Sequence, residues 1–341
     1  MGEGRKASAG SLVRRETDDR NPEIAPCHCL RLHRVRDAAP GHAQSYPSQP
    51  IKLILPYTAG SPNDVLARLI APQLSARLGQ PVIIDNRPGG GTTTGVGAVL
   101  SAEPDGHTLL FSNSPTHVIA PVASTTPGYD ALKDFVPIAT VGAASNVIVI
   151  GNDVPAKTVQ EFVAYAKANP GKLNFGFGQG TLPQLVGEMF KLAAGMEITN
   201  VPYKGGAQAV ADLLGGRIQI NIGNASTLLP LHRAGQLRII GCTGTTRAPD
   251  MPEIPTMAES GYPSVVSTTY YGIFGRADLP AAIVSRLNSE VGEILKAPEL
   301  ARSIAKIGFE PKPLSPAELK TLLADEAKKW TAIVKATGFQ M

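Results

Sequence analysis

Three loops of small polar residues, each between a predicted strand and a predicted helix, are the best candidates for chemistry in this chain. They read Thr58-Ala59-Gly60-Ser61, Ser112-Asn113-Ser114-Pro115-Thr116 and Gly178-Gln179-Gly180-Thr181. The first turn of a helix carries free backbone N–H donors and the positive end of the helix dipole, so it binds anions without a charged side chain. A single loop of this kind is most often an ordinary turn. Two that face each other across a crevice would suit a carboxylate, or a molecule with a carboxylate at each end.

Residue patterns typical of enzymes are missing. The sequence contains no G-x-S-x-G, H-E-x-x-H, C-x-x-C or G-x-x-x-x-G-K-[ST] pattern. His107 and His117 lie in or beside turns, where we expect surface or capping roles. Cys242 ends a predicted strand, where we expect a buried, inert thiol. We therefore predict no catalytic residue, no cofactor and no metal site.

The composition describes a globular and nearly neutral protein. The 341 residues include 32 Lys plus Arg and 28 Asp plus Glu, a net charge of +4, and 43% are hydrophobic. This small surplus gives no electrostatic case for binding nucleic acid. No stretch approaches the 18 or more apolar residues that a membrane-spanning helix needs. We expect a monomer with a sizeable core.

Residues 1–44 differ from the rest of the chain. They hold two of the three cysteines and three of the six histidines, and they show almost no apolar periodicity. The spacing of Cys27-His28-Cys29 and His33 fits no standard zinc site. Gly41-His42-Ala43 before Gln44 has the shape of a signal peptidase site, but an apolar h-region is missing. We expect an atypical, disordered leader or a signal region obscured by a wrong start codon or reading frame, which translation of the other two frames upstream of the Ala43 codon would test.

From residue 46 onward, short apolar runs alternate with helical periodicity. The run Ile51–Leu55 predicts a buried strand, and apolar residues then recur at helical spacing from Val65 to Leu78. Further strands are predicted at 81–84, 108–112, 146–150, 173–177, 217–222 and 237–242, and the last third is mainly helical. This alternation favours an α/β fold with mainly parallel strands. Ser61, Thr158, Thr181 and Ser315 each precede an acid or amide by three residues, which predicts four helix N-caps.

An ordered series of short sequences then resembles the Bug-type solute receptors of tripartite tricarboxylate transporters, which are extracytoplasmic binding proteins. The similarity runs from about residue 46 to the C-terminus. Among the matching pieces are Tyr46-Pro47-Ser48-Gln49-Pro50-Ile51, Asn86-Arg87-Pro88-Gly89, Pro104-Asp105-Gly106, Val201-Pro202-Tyr203-Lys204-Gly205 and Asp212-Leu213-Leu214-Gly215-Gly216. Each piece alone is weak, but their order along the chain is specific.

The resemblance implies an α/β, two-lobed periplasmic-binding-protein (Venus flytrap) fold with two crossing hinge strands, near 146–150 and 270–274. Lobe 1 would comprise residues 45–146 with 270–341, and lobe 2 residues 147–269. The family grips a carboxylate with the first strand-to-helix loop and with the glycine-rich loop of the other lobe. Carried over, the ligand-binding residues are Tyr57, Thr58, Ala59, Gly60, Ser61, Asn63, Asp64, Ser114, Gly178, Gln179, Gly180, Thr181, Gln184, Tyr203, Asn224, Ala225 and Tyr270.

Departures from the family pattern bear on the ligand. Gly223 stands where an aspartate is frequent, and Tyr270 stands where a tryptophan is frequent. Without that acid, an ammonium group would lack its counter-charge, which argues against amino acids. The resemblance thus implies a periplasmic receptor that delivers a dicarboxylate or an aromatic carboxylate to a membrane permease. The alternatives are an enzyme on the same scaffold, with Cys242, His117 or Asp64 as catalyst, and a cytosolic carboxylate sensor.

Overall fold

The computed structural model describes residues 46–124, 128–179, 181–248 and 250–340. The predictions for the leader, including the unusual Cys27-His28-Cys29 and His33 spacing, lie outside these residues, as does the predicted ligand residue Gly180. Among the described residues, no helix is long and apolar enough to cross a membrane.

The described part of the chain contains ten strands. In chain order they are β1 (Ile51–Leu55), β2 (Val82–Asn86), β3 (Thr108–Asn113), β4 (Phe135–Ile150), β5 (Asn174–Gly178), β6 (Thr199–Tyr203), β7 (Ile220–Asn224), β8 (Arg238–Cys242), β9 (Thr268–Arg276) and β10 (Glu310–Pro311). Four predicted strand positions, at β1, β3, β5 and β8, agree with the structure to within one residue at each end. The first eleven residues of β4 and the whole of β6 were not predicted.

Twelve α-helices lie between and after these strands in the described residues. They are α1 (Pro62–Leu78), α2 (Thr93–Leu100), α3 (Ser114–Val118), α4 (Ala120–Ala123), α5 (Ala131–Asp134), α6 (Val159–Ala168), α7 (Leu182–Ala194), α8 (Gly206–Leu214), α9 (Ala225–Arg233), α10 (Ala281–Leu295), α11 (Pro298–Lys306) and α12 (Pro316–Thr337). A short 3₁₀ helix, Gly90–Thr92, precedes α2.

The strands form two groups that share β4. In the first group, β1 pairs in parallel with β2 and β3, while β9 lies antiparallel between β3 and β4. In the second group, β5 pairs in parallel with β6 and β7, and the end of β4 lies antiparallel to β7 and β8. The α/β class is confirmed, and the outer strands are parallel as predicted. The two long central strands run antiparallel, which the alternation of helices and strands did not predict.

The long strand β4 changes partners in its middle. Ser145 is paired with Thr268 of β9, whereas the next residue, Asn146, is paired with Asn224 of β7. The chain returns to the first group at Ser267, whose N–H donates to the carbonyl of Thr243 at 2.8 Å, just before β9 begins. The proposed limits of the two lobes stay a prediction.

Three of the four predicted N-caps form. The hydroxyls of Ser61, Thr158 and Ser315 accept hydrogen bonds from the backbone N–H three residues later, and Ser315 completes a capping box with Glu318. Thr181 occupies the N-cap position of α7 but makes no side-chain cap. Its hydroxyl instead donates to the carbonyl of Gly178 at 2.6 Å.

The largest buried apolar cluster runs through both groups of strands. It extends from Ile54 and Leu110 in the first group to Ile148 and Phe175 in the second, and it includes Trp330 of the last helix. Burial of this continuous apolar surface, rather than helix propensity, is the main source of stability for such elements.

Candidate ligand-binding site

A cavity of about 270 Å³ opens where the ends of both strand groups meet. Its walls come from residues that follow β1 and β3, from the start of α7 and from the hinge strands. The lining residues are Tyr57, Ser61, Pro62, Asn63, Thr92, Asn113, Pro115, Thr116, Ala120, Asn146, Thr181, Leu182, Pro183, Asn224, Thr269 and Tyr271. All of them are uncharged. We call this cavity the cleft.

Five of the lining residues are helix N-caps. Ser61, Thr92, Asn113, Thr181 and Asn224 precede α1, α2, α3, α7 and α9 respectively. Thr92, Thr181 and Asn224 make no side-chain cap, so their side chains do not use the first-turn N–H donors of those helices. The convergence of helix N-termini gives the cleft a positive potential without any cationic side chain.

The first loop is held in place by Asp64 and Arg68. One carboxylate oxygen of Asp64 accepts hydrogen bonds from the backbone N–H of Gly60 and from Nε of Arg68, both at 2.9 Å. The hydrogen bond from Arg68, followed by that from Gly60, holds the pKa of Asp64 below its ordinary value against the effect of burial. Asp64 is not among the residues that line the cleft. Its negative charge holds the first loop in place and is compensated by Arg68.

The glycine-rich loop before α7 is fixed by close backbone contacts. The N–H of Gln179 donates to the carbonyl of Tyr203 at 2.9 Å. A Cβ at position 178 would lie 3.2 Å from the backbone nitrogen of Gly206, which is tighter than an ordinary contact, so glycine lets the end of β5 approach the start of α8 without displacing it. These contacts present the start of α7 to the cleft.

A network of uncharged hydroxyl and amide groups forms one wall of the cleft. Tyr57 donates its hydroxyl proton to Oδ1 of Asn113 at 2.8 Å and is also hydrogen-bonded to the hydroxyl of Thr116. Tyr129 donates to the carbonyl of Thr116 at 2.7 Å, and the hydroxyl of Thr92 lies 3.3 Å from that of Tyr129. Burial raises the pKa of Tyr57, which therefore stays a neutral donor.

Thr92, which contributes to this wall, has a strained backbone. Its φ of 88° is the only positive value for a non-glycine residue in the described ranges, and it follows three glycines that also have positive φ. Strain of this kind concentrates at functional sites.

Two amide groups of the lining are buried without a partner. Oδ1 of Asn63 and Nδ2 of Asn146 have no hydrogen bond, although the two residues are only 3% and 1% exposed. Buried polar atoms are normally paired, and an exception at a cavity marks a place where a ligand or water binds.

The structure brings five predicted ligand residues to the cleft, namely Tyr57, Ser61, Asn63, Thr181 and Asn224. Thr58, Ala59 and Gly60 are exposed and are not among the lining residues. Gly178 and Gln179 of the glycine-rich loop, and Gln184 in the first turn of α7, also lie outside the lining. Ser114 is buried and accepts a hydrogen bond from the backbone N–H of Tyr270. Tyr203 donates its hydroxyl proton to Asp212 at 2.7 Å and does not line the cleft.

Tyr270 and Ala225 line a different cavity. This second cavity, of about 180 Å³, lies on the opposite face of the hinge strands. Ser145 and Tyr270 line it, whereas their neighbours Asn146 and Tyr271 line the cleft. Successive side chains of a strand point to opposite faces, so a residue directly next to one that lines the cleft lines the other cavity instead.

Sequence reasoning missed several lining residues. Asn113, Pro115 and Thr116 belong to the candidate loop at residues 112–116, and their position after a strand was an available signal. Asn146 and Tyr271 could have been found only from the pairing of β4 with β9 and β7. The other lining residues not included in the predicted set are Pro62, Thr92, Ala120, Leu182, Pro183 and Thr269.

The histidine and the cysteine considered as catalysts are both buried. His117 was expected at the surface, but it is 2% exposed, lies against Phe274 with ring centroids 3.8 Å apart, and contacts the hydroxyl of Ser112 at 2.8 Å. Burial lowers the pKa of His117 to about 3, so the ring is neutral. Cys242 is a buried free thiol, as predicted, and burial raises its pKa. Within the described residues, no three or more His, Cys, Asp or Glu side chains lie together where they could hold a metal ion.

Two strand groups joined by long hinge strands, with an uncharged cleft where helix N-termini converge, define a two-lobed solute-binding protein. Two comparisons with solved structures agree. An R. palustris protein solved with adipate aligns with a TM-score of 0.77 and 31% identity, over 86% of this chain and 99% of its own. MatC from Rhodopseudomonas palustris, with bound malate, aligns with a TM-score of 0.73 and 26% identity, over 85% of this chain and 100% of its own.

Sequence comparison identifies the family. The model described as the tripartite tricarboxylate transporter family receptor matches residues 66–339. BugT from Bordetella pertussis is 34% identical over 307 residues, which cover 89% of this chain and 94% of BugT. The chain therefore belongs to the tripartite tricarboxylate transporter receptor family. This family consists of solute-binding receptors rather than enzymes, which confirms the resemblance and the prediction of no enzymatic activity.

Proposed function

We propose that this protein is a periplasmic receptor that binds an organic dicarboxylate in the cleft and presents it to a membrane permease. The observation that carries the proposal is the convergence of five helix N-caps on a cleft whose described lining residues are all uncharged. In this proposal one carboxylate accepts hydrogen bonds from the first turns of α1 and α7, with Ser61, Asn63 and Thr181 beside it. Charge-assisted hydrogen bonds of this kind are short and strong.

The chemistry of the lining disfavours other solutes. An amino acid or amine would bring a cation to a cleft whose described lining contains no aspartate or glutamate. Tyr271, Leu182 and the prolines 62, 115 and 183 offer apolar surface for the carbon body of the ligand. The arrangement therefore favours a molecule that is anionic at its ends and uncharged between them.

The relatives support the ligand class. The two structural neighbours described above were solved with adipate and malate, and both of these ligands are dicarboxylates. The receptor family supports the permease and the periplasm as partner and location. Closure of the two strand groups about β4 and β9 would bury the ligand and signal occupancy to the permease.

A thermal-shift screen of the purified chain tests the proposal. Succinate, malate, glutarate, adipate, citrate and benzoate should be compared with glutamine, putrescine and glucose, and every hit should be measured by titration calorimetry. A ligand present at 100 times its dissociation constant stabilises the native state by about 2.7 kcal/mol, which is readily visible in a melting curve. A shift with a dicarboxylate is expected. A shift only with the amine, the amino acid or the sugar would contradict the proposal.

A further inference from the structure

Asn146 occupies the point where β4 passes from one strand group to the other, and its backbone is fixed there. Its N–H donates to the hydroxyl oxygen of Thr243 at 3.0 Å, and its carbonyl accepts from the N–H of Thr243 at 2.9 Å. The hydroxyl of Thr243 also donates to the carbonyl of Ser267 at 2.6 Å. Asn146 lies on β4, which is one connection between the two strand groups. These hydrogen bonds tie it to Thr243, and through Thr243 to Ser267, in the segment that forms the other connection.

The side chain of Asn146 has no comparable partner. Nδ2 is buried and makes no hydrogen bond, and Asn146 is one of the residues that line the cleft. Asn221 of β7 provides a contrast, because it is equally buried but donates Nδ2 to the carbonyl of Gly176 at 2.7 Å. A buried amide donor left without an acceptor is unfavourable, so a fold that keeps one at a cavity gains from it only when an acceptor arrives.

We propose that Nδ2 of Asn146 binds the second carboxylate of the ligand and thereby selects dicarboxylates over monocarboxylates. The inference rests on the proposed function, in which the helix N-termini bind the first carboxylate. An amide N–H₂ group donates hydrogen bonds but carries no net charge, so it can bind an anionic oxygen without adding charge to the cleft. Because the backbone of Asn146 is held to Thr243, and Thr243 to Ser267, the contact also links the ligand to the hinge.

The test compares pairs of ligands of equal chain length by titration calorimetry on the full chain. Succinate is measured against butanoate, glutarate against pentanoate, and adipate against hexanoate. For the best pair, the wild type should prefer the dicarboxylate by at least tenfold, as expected for a hydrogen bond to a charged group. Asn146→Leu, which removes the donor at similar volume, should reduce that preference at least fivefold and leave the affinity for the monocarboxylate within about twofold.

Two further variants separate this role from a structural one. Asn146→Ala removes the same donor with less bulk and should reduce the preference equally, which covers the case that the leucine variant does not fold. Asn221→Leu removes a paired amide, so it should lower the melting temperature and keep the preference.

An unchanged preference in Asn146→Leu or Asn146→Ala would overturn the inference while leaving the proposed function intact. Equal weakening of both ligand types would overturn it in the same way. Failure of the wild type to bind any of the six acids would overturn the proposed function together with this inference.

Discussion

Replacing Thr181 by aspartate should separate the stability of α7 from the binding of an anion at its N-terminus. Thr181 is the N-cap residue of this helix, but its hydroxyl donates to the carbonyl of Gly178 and makes no side-chain cap. Aspartate is among the best N-cap residues. The free energy of unfolding of Thr181→Asp should therefore be unchanged or increase by up to about 1 kcal/mol.

Binding should change in the opposite direction. Thr181 lines the cleft, whose described lining residues are all uncharged, and the substitution places a carboxylate beside the proposed ligand carboxylate. Two unit charges about 5 Å apart at an effective dielectric constant of about 20 repel by about 3 kcal/mol. The dissociation constant should rise roughly 100-fold.

Titration calorimetry and thermal denaturation of three proteins check this prediction. Thr181→Asn is the matched control, since asparagine has nearly the same shape as aspartate and caps helices equally well but carries no charge. Its dissociation constant should rise by less than about tenfold. If Thr181→Asp binds as the wild type does, or if both variants lose affinity equally, the negative charge is not the cause and the reasoning is refuted.

Three further predictions concern packing, pH and protonation. Gly187→Ala in α7 should lower the free energy of unfolding by about 1–3 kcal/mol in urea denaturation, because its new methyl group would lie 2.1 Å from the ring of Phe175. The control Gly292→Ala in α10 has open space around the new methyl group and should be neutral or stabilising. Equal effects of the two substitutions would contradict this prediction. The folded pKa of Asp64 lies below its ordinary 3.8, so the stabilisation it provides is complete above about pH 5 and is lost as the pH falls further. Asp64→Asn should therefore lose less stability than the wild type between about pH 6 and pH 3, and parallel curves would argue against the role of Asp64. No cleft-lining side chain in the described residues titrates near neutrality, so the affinity for a fully ionised carboxylate should be constant from pH 6.5 to 8.5 in calorimetry, and a change following a single histidine-like pKa would contradict the site.

The elements that the sequence predicted well are those with local causes. The apolar run of β1 and the hydroxyl-acid spacing at Ser61, Thr158 and Ser315 need no information from elsewhere in the chain, and the structure confirms them. The first part of β4 was missed because it is rich in alanine and contains proline and glycine, which are uncommon in strands. Its pairing with β9, more than one hundred residues away, makes it a strand.

The cleft shows the same division between local and distant causes. Thr58, Ala59, Gly60 and Ser61 could be placed near the site because strand-to-helix loops collect at one edge of a sheet. Which of two consecutive tyrosines lines the cleft depends on the register of β9 against β4, and the register is set by long-range pairing. The unpaired amide of Asn146 depends on every neighbour of that side chain and leaves no trace in the local sequence.

The central claim is that backbone donors at converging helix N-termini recognise the negative charge of the ligand. Titration calorimetry of the strongest-binding dicarboxylate and of its diamide, on the same preparation, tests this claim most directly because the two molecules have nearly the same shape. The proposed site predicts that the diamide binds at least 100-fold more weakly, since its neutral ends lose the charge-assisted hydrogen bonds and the attraction of the helix dipoles. Binding of the diamide with the same affinity as the dicarboxylate would contradict the claim.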